Sequence, residues 1–286
     1  MPRRLSRCYV LSRPRGTPVP VVFDSPHSGC DYPADFRPMA SRAEVLTSWD
    51  AHVEELWQGV TTAGTTLLSA VFPRAYVDPN RAEDDIDLAM LAEPWPGRVA
   101  PSAYGRRGMG VVRRCALPGV AMYRRPLSLT EVRHRLGRYH MPYRQALRET
   151  IERVWRRYGA VWHFNCHSMK SRTGGAVGAR PDFAIGDRDG TTAPPALTAW
   201  VASFFADRGY RVQINQPYRG GDIVRAHGQP RRRRYSLQIE INRALYMDEA
   251  TFARGPRFRS LQADLTAFAR AVGARAVAEV DLKGRG

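Results

Sequence analysis

A chain of 286 residues, 43% of them hydrophobic, can bury a sizeable core, and because no linker divides it we expect one domain over 1–286. It has no apolar run of roughly 20 residues and no apolar stretch at its start, so neither a membrane span nor a signal peptide is expected and the predicted location is the cytoplasm. The formal net charge of +17 would favour a nucleic-acid partner, but nearly all the basic residues are arginines spread along the chain, a bias that coding-sequence composition alone can produce, so nucleic acid is not the expected partner.

Short stretches rich in Val, Ile and Phe alternate with longer amphipathic segments. This alternation is typical of strands interleaved with helices and predicts an α/β fold. The predicted strands, in chain order, are 18–24, 66–72, 75–78, 160–166, 183–185, 211–215 and 236–242. The predicted helices are 48–59, 128–155, 196–208 and a closing helix within 258–272.

Two segments fit neither pattern. Proline, glycine and arginine dominate 83–125, which we interpret as a long excursion over the surface and a candidate lid. The four arginines at 231–234 lie between Gly228-Gln229-Pro230 and a predicted strand, which places them on a loop. A solvated loop is the expected reading of that run, with a polyanion contact as the alternative.

Side chains that could perform chemistry lie in or just after four predicted strands. They are His27, Asn80 with Arg81, His167 and Glu240. In α/β folds the active crevice opens at the carboxyl ends of strands, so these groups can converge there. Two histidines and a carboxylate can hold one Zn²⁺ with a position open to water, and a separate glutamate can move the proton of that water. Glu240 fits the second role, with pairing to an arginine as the alternative.

Several short motifs recur in a characteristic order between about Val21 and Asp248. Together they resemble the N-formylglutamate amidohydrolase family. The motifs that carry the resemblance are Ser25-Pro26-His27-Ser28-Gly29, Arg74-Ala75-Tyr76-Val77-Asp78-Pro79-Asn80-Arg81, Cys166-His167-Ser168-Met169, Asn215-Gln216-Pro217-Tyr218-Arg219-Gly220-Gly221 and Gln238-Ile239-Glu240-Ile241-Asn242-Arg243.

The resemblance implies a fold similar to the zinc carboxypeptidases and the aspartoacylase-like deacylases, with a mixed, largely parallel sheet flanked by helices. It implies that His27 and His167 bind one divalent metal, most simply Zn²⁺, and that Glu240 is the general base. It also implies that Asn80 and Arg81 clamp the substrate. The substrate would be a small acidic N-acyl amino acid, with N-formylglutamate the leading candidate.

The third metal ligand is less directly indicated. Deacylases of this kind place a glutamate three residues after the first histidine, where this chain has Cys30. Asp50 is our first choice, with Asp31 and Glu54 as alternatives. Asn165 also departs from the pattern, because relatives usually have an aspartate there. An amide cannot be a charged partner of a metal-bound histidine, so a weaker metal affinity is expected.

A dicarboxylate substrate needs at least two cationic partners when it leaves water, and arginine offers bidentate bonds that lysine cannot. Arg81 is the first candidate. Arg225, which follows a glycine-rich segment that could close over the ligand, is the second.

Two other functions compete. The contiguous Cys166, His167 and Ser168 could indicate a thiol or serine hydrolase, but neighbours on one strand point to opposite faces. The positive charge could indicate a nucleic-acid-binding protein on a hydrolase-like fold, although the histidine and carboxylate motifs would then have no role.

Overall fold

The computed structural model describes residues 8–172 and 180–283, with side chains as far as Asp281. The described residues form the strands β1 (Tyr9–Ser12), β2 (Val21–Ser25), β3 (Thr66–Ala70), β4 (Cys115–Leu117), β5 (Val120–Ala121), β6 (Val161–Met169), β7 (Phe183–Gly186), β8 (Val212–Ile214) and β9 (Arg234–Asn242). Seven of them make one sheet in the order β1-β3-β2-β6-β9-β7-β8, and β4 and β5 form a separate pair.

The central strands of this sheet run parallel. β2 is parallel to both β3 and β6, and β6 is parallel to β9. The edges break the pattern, because β1 is antiparallel to β3 and β7 is antiparallel to β9. The predicted mixed, largely parallel sheet is therefore confirmed.

Helices cover both faces of the sheet. They are α1 (Arg42–Leu46), α2 (Val53–Leu56), α3 (Leu129–Arg135), α4 (Met141–Tyr158), α5 (Pro195–Ala206), α6 (Asp222–His227) and α7 (Phe258–Lys283). One hydrophobic core joins α2, α5 and α7 to the sheet face that carries Phe23 and Phe164. A second core joins α3 and α4 to the opposite face through Val22 and Leu68. No helix in the described ranges is both long and apolar enough to span a membrane.

The long helix predicted for 128–155 is present as α3 and α4, joined by one π-helical segment at Leu136–His140. Ser128 caps it, and Glu131 completes the capping box. The closing helix α7 runs past the predicted limit to Lys283. Gly273 lies inside this helix and close to Val19, since a Cβ there would lie 3.3 Å from Cγ2 of that valine.

Two predicted elements differ in the structure. The helix predicted for 48–59 is a single α turn, α2, followed by a 3₁₀ segment at Gln58–Ala63. It starts late because His52 has a left-handed backbone, with φ of 62°, and cannot continue a helix. The strand predicted for 75–78 is replaced by a turn in which Tyr76 N donates to Pro73 O at 3.0 Å.

The surface excursion predicted for 83–125 is wrong in part. Its side chains Ile86, Met90, Val111 and Met122 are buried in the second core. Its apolar residues follow neither the helical nor the strand period, so the sequence pattern could not indicate their burial. The arginine run at 231–234 begins in a 3₁₀ turn at Pro230–Arg232 and ends in β9.

Candidate active site

One face of the central strands is lined by polar side chains. Along β6, Trp162, Phe164 and Cys166 belong to the first hydrophobic core. The residues between them therefore face the other side, because successive side chains of a strand alternate. The same alternation in β9 places Glu240 on that face, and the parallel register sets Glu240 beside His167. The polar residues of this face are Asp24, His163, Asn165, His167, Ser236, Gln238 and Glu240.

The loop after β2 brings His27 to this face. Gly29 allows the loop to pass close to the chain after β3, since a Cβ there would lie 2.3 Å from the carbonyl carbon of Val71. Asp50 N donates to His27 O at 3.1 Å. Trp49 Nε1 donates to Ser28 O at 2.7 Å. These bonds hold the segment that carries Asp50 against the histidine loop.

His27, Asp50 and His167 converge. Asp50 Oδ2 lies 3.0 Å from His167 Nδ1 and 3.5 Å from His27 Nδ1. One potential ligand atom from each residue lies within 4.8 Å of the others, and all three residues are buried. Burial opposes ionisation of Asp50, but its contacts with His167 and His27 outweigh that effect and hold the pKa of this carboxyl well below its usual value.

The outer ring nitrogens of both histidines are held by acceptors. His27 Nε2 donates to Asp78 Oδ1 at 2.7 Å, and His167 Nε2 donates to Asn165 Oδ1 at 2.7 Å. With the proton on Nε2, each Nδ1 keeps a lone pair, which cannot bond to the ionised Asp50 directly but can share a cation with it. His27 Nδ1 is buried and has no hydrogen-bond partner among the described residues. A divalent cation fits such a set, because metal-bound histidines characteristically donate their other ring N–H to an oxygen acceptor.

Glu240 lies beside these three residues but outside the group whose ligand atoms converge. Gln238 Nε2 donates to Glu240 Oε1 at 2.8 Å. Burial raises the pKa of Glu240, His167 opposes that rise, and the negative charge of Asp50 adds to it. A raised pKa moves a carboxylate towards the range in which it both accepts and returns a proton near neutral pH.

The alternatives to Asp50 are placed less favourably. Asp31 is exposed, and neither Asp31 nor Glu54 belongs to the converging group. Glu54 Oε2 is buried without a hydrogen-bond partner among the described residues, and burial raises the pKa of Glu54 to about 7. Asp50 is the carboxylate that the structure brings to both histidines.

Asp78 links His27 to a group of arginines. Arg74 Nη2 donates to Asp78 Oδ2 at 2.6 Å, while Arg81 Nε and Arg113 Nη2 lie 3.8 and 4.0 Å from the same oxygen. Burial opposes ionisation, but Arg74 and His27 hold the pKa of Asp78 well below its usual value. The sequence did not point to Arg113, because this residue lies in the segment interpreted as a surface excursion. Its one distinguishing feature in the sequence is its position directly after the hydrophobic pair Val111-Val112.

Asn80 is buried and connects the segment around Ile223 to Asn165 and His167. Its Oδ1 accepts from Ile223 N at 2.9 Å, and its Nδ2 donates to Asn165 Oδ1 at 3.3 Å and lies 3.1 Å from His167 Nε2. Arg225 is not brought to these residues. It is exposed and pairs with Asp222 at 2.5 Å. The predicted substrate role of Arg225 therefore has no support in this geometry.

Cys166 cannot act as the nucleophile of a thiol hydrolase in this fold. It is fully buried in the first core, on the face of β6 opposite His167. Burial, together with the nearby Asp24, raises the pKa of its thiol well above the usual value. A thiol that is inaccessible and protonated is not reactive.

A Ser–His–Asp arrangement also lies on the polar face. His163 Nε2 lies 2.9 Å from Asp24 Oδ1, and His163 Nδ1 lies 2.7 Å from Ser236 Oγ. All three residues are at most 1% exposed. Asp24 also accepts hydrogen bonds from Tyr143 Oη and Asn165 Nδ2, so we interpret this trio as part of a structural network that holds Asp24 in place.

A family model and two relatives in sequence all carry the same N-formylglutamate description. A family model described as N-formylglutamate amidohydrolase matches residues 19–247. An N-formylglutamate deformylase of Pseudomonas aeruginosa is 30% identical over 269 residues, which cover 92% of each chain. An N-formylglutamate deformylase of Pseudomonas putida is 25% identical over 245 residues, covering 84% of this chain and 86% of that protein.

Solved structures extend the likeness to three dimensions. The crystal structure of an N-formylglutamate amidohydrolase from Ralstonia eutropha JMP134 is 41% identical and superposes with a TM-score of 0.91, covering 95% of this chain and 99% of that one. A gene product of Agrobacterium tumefaciens, 18% identical, superposes with a TM-score of 0.67 over 96% of this chain and 97% of its own, which is a likeness of fold.

Proposed function

Because the chain belongs to the N-formylglutamate amidohydrolase family, we propose that it hydrolyses N-formylglutamate to formate and glutamate. The observation that carries this proposal is the buried convergence of His27, Asp50 and His167 beside Glu240. The names of the relatives supply the substrate, and the geometry supplies residues that can cleave its amide bond.

We propose that His27, Asp50 and His167 hold one divalent metal, with Zn²⁺ the best match to two histidines and a carboxylate. When bound, such an ion supplies Lewis-acid polarisation and makes a water molecule more acidic. Asp78 and Asn165 orient the two histidines through their outer ring nitrogens, so that both Nδ1 atoms face Asp50. Arg243 fixes the other oxygen of Asp50, with its Nη2 donating to Oδ1 at 3.1 Å.

Glu240 is the proposed proton carrier. Its carboxylate accepts a proton as water attacks the formyl carbon, and returns that proton to the glutamate nitrogen as the carbon–nitrogen bond breaks. Gln238 holds one oxygen of Glu240, which leaves the other to reach the reacting atoms. Arg81 is the proposed partner of a substrate carboxylate, and Tyr104 supports it by stacking 4.4 Å from the guanidinium.

Formate release from N-formylglutamate by the purified protein tests this proposal. The wild type should release formate, and Glu240→Gln should keep its metal while losing a factor of about 10² to 10⁴ in turnover. Loss of metal from Glu240→Gln would place Glu240 among the ligands instead. If the metal-loaded wild type releases no formate, the proposed substrate is wrong.

A further inference from the structure

The carboxylate of Asp78 is surrounded by more positive charge than it can pair. Arg74 binds its Oδ2 through Nη2 at 2.6 Å and Nε at 3.2 Å. Its Oδ1 accepts from His27 Nε2 at 2.7 Å and from Asn80 N at 2.9 Å. These four hydrogen bonds occupy most of the acceptor positions of Asp78, so few remain for Arg81 and Arg113.

Arg113 is the least compensated of these cations. It is 6% exposed, and its Nε is buried with no hydrogen-bond partner among the described residues. Asp78 is the one carboxylate within 4.0 Å of its guanidinium in the described part of the chain. Burial, with repulsion from Arg74, lowers the pKa of Arg113 to about 9. A buried cation held this way is costly unless an anion approaches it.

The backbone fixes Arg113 next to the proposed active site. Asp78 N donates to Val111 O at 2.7 Å, and Val111 N donates to Asp85 O at 2.8 Å, so the segment before Arg113 is anchored to the residue that contacts His27. Arg81 Nε lies 3.8 Å from Asp78 Oδ2, the oxygen that Arg113 Nη2 also approaches. The two guanidiniums therefore lie near one oxygen of Asp78, whose other oxygen contacts His27.

We propose that Arg113, rather than Arg225, is the second carboxylate-binding residue of this site, acting with Arg81 to bind an acidic N-acyl amino acid. The inference rests on the proposed function for its substrate class. Arginine suits the task because its planar guanidinium makes two parallel bonds to a carboxylate. The buried Arg113 and the partly buried Arg81 both lie within 4.0 Å of Asp78 Oδ2 and can each take one carboxylate of the substrate, whereas the exposed Arg225 is already paired with Asp222.

Binding of glutarate, a dicarboxylate without an amide, tests the proposal independently of turnover. Calorimetry measures the glutarate affinity of both the chelator-treated and the metal-loaded protein. In each state this affinity should be about 10- to 100-fold lower for Arg113→Gln than for the wild type, the loss expected for a charge-assisted pair. Arg113→Lys should recover only part of the affinity, because it restores the charge but not the bidentate geometry. Arg107→Gln removes an exposed arginine of the same segment and should bind glutarate as the wild type does.

Thermal unfolding separates ligand binding from a structural role. Removing an uncompensated buried cation should leave the melting temperature of the ligand-free protein unchanged or raise it, and should abolish most of the upward shift that glutarate causes. A lower melting temperature with unchanged glutarate affinity would make Arg113 structural and overturn the proposal. Undiminished affinity in Arg113→Gln and Arg113→Lys would do the same. Failure of the wild type to release formate would instead refute the proposed reaction and leave the glutarate result standing.

Discussion

At the scale of single residues, Asn165 connects the proposed metal site to the buried network beneath it. Its Nδ2 donates to Asp24 Oδ1 at 2.8 Å, which leaves Oδ1 to accept from His167 Nε2. Asp24 also accepts from Tyr143 Oη at 2.7 Å. The negative charge of Asp24 therefore lies one hydrogen bond beyond the amide that contacts His167.

Asn165→Asp should not restore a stronger metal site. It would set a second carboxylate about 2.8 Å from buried Asp24, and two adjacent carboxylates cannot both stay ionised. We expect a loss of about 3 kcal/mol in the free energy of unfolding at pH 8 and a smaller loss at pH 5. Chemical denaturation measures both values. The double variant Asp24→Asn/Asn165→Asp, which exchanges amide and carboxylate, should recover stability, and a single variant as stable as the wild type at pH 8 would refute this reading.

Glu54 gives a pH dependence of stability. Its pKa is raised to about 7 by burial, whereas in the unfolded chain the pKa keeps its ordinary value of 4.5. The folded state therefore holds a proton that the unfolded state releases, and this group lowers stability as the pH rises from about 4.5 to about 7. Glu54→Gln should melt close to the wild type at pH 4.5 and above it at pH 8. A difference that does not change with pH would contradict the burial of this carboxyl.

At the scale of elements, the alternation along β6 and β9 separates core from chemistry. His167 and Glu240 face one side, and Cys166 and Ile239 face the other. Cys166→Ala should therefore keep kcat/KM for N-formylglutamate near the wild-type value, with only a modest loss of stability from the smaller side chain. Abolished turnover in a folded, metal-loaded Cys166→Ala protein would revive the thiol mechanism.

The regular elements were the predictable part of the fold. The strands β2, β3, β6 and β9 and the capped helix from Ser128 follow from hydrophobic period and capping residues. The hairpin β4–β5, the short helices α1 and α6 and the edge strand β1 were not predicted, because segments of two to six residues carry too little periodicity to distinguish them from loops.

The proposed ligands were predictable because two histidines lie at strand ends, where α/β folds place their active groups. The third ligand was less predictable, because Asp50 was only the first choice among three carboxylates, with Asp31 and Glu54 as the alternatives. Arg113 could not be predicted, because its importance comes from a non-local backbone pairing between Asp78 and Val111 that no sequence period encodes.

At the scale of the whole molecule, the net charge of +17 does not require a polyanion partner. Several arginines are used internally. Arg135 is buried and stacks on Tyr76, and Arg243 binds the Trp49 carbonyl and Asp50. The two hydrophobic cores on either side of the sheet hold the polar face in one arrangement, so the proposed site is built on rigid strands and their connecting loops.

The most direct test of the account is the rate of formate release from N-formylglutamate as zinc is returned to chelator-treated protein. The rate should rise with bound zinc and level off at about one ion per chain, the occupancy expected for a single site with two histidines and a carboxylate. His27→Ala and His167→Ala should remain folded, bind little zinc and stay inactive. Full turnover by protein that holds no detectable metal, or full zinc occupancy in both histidine variants, would contradict it.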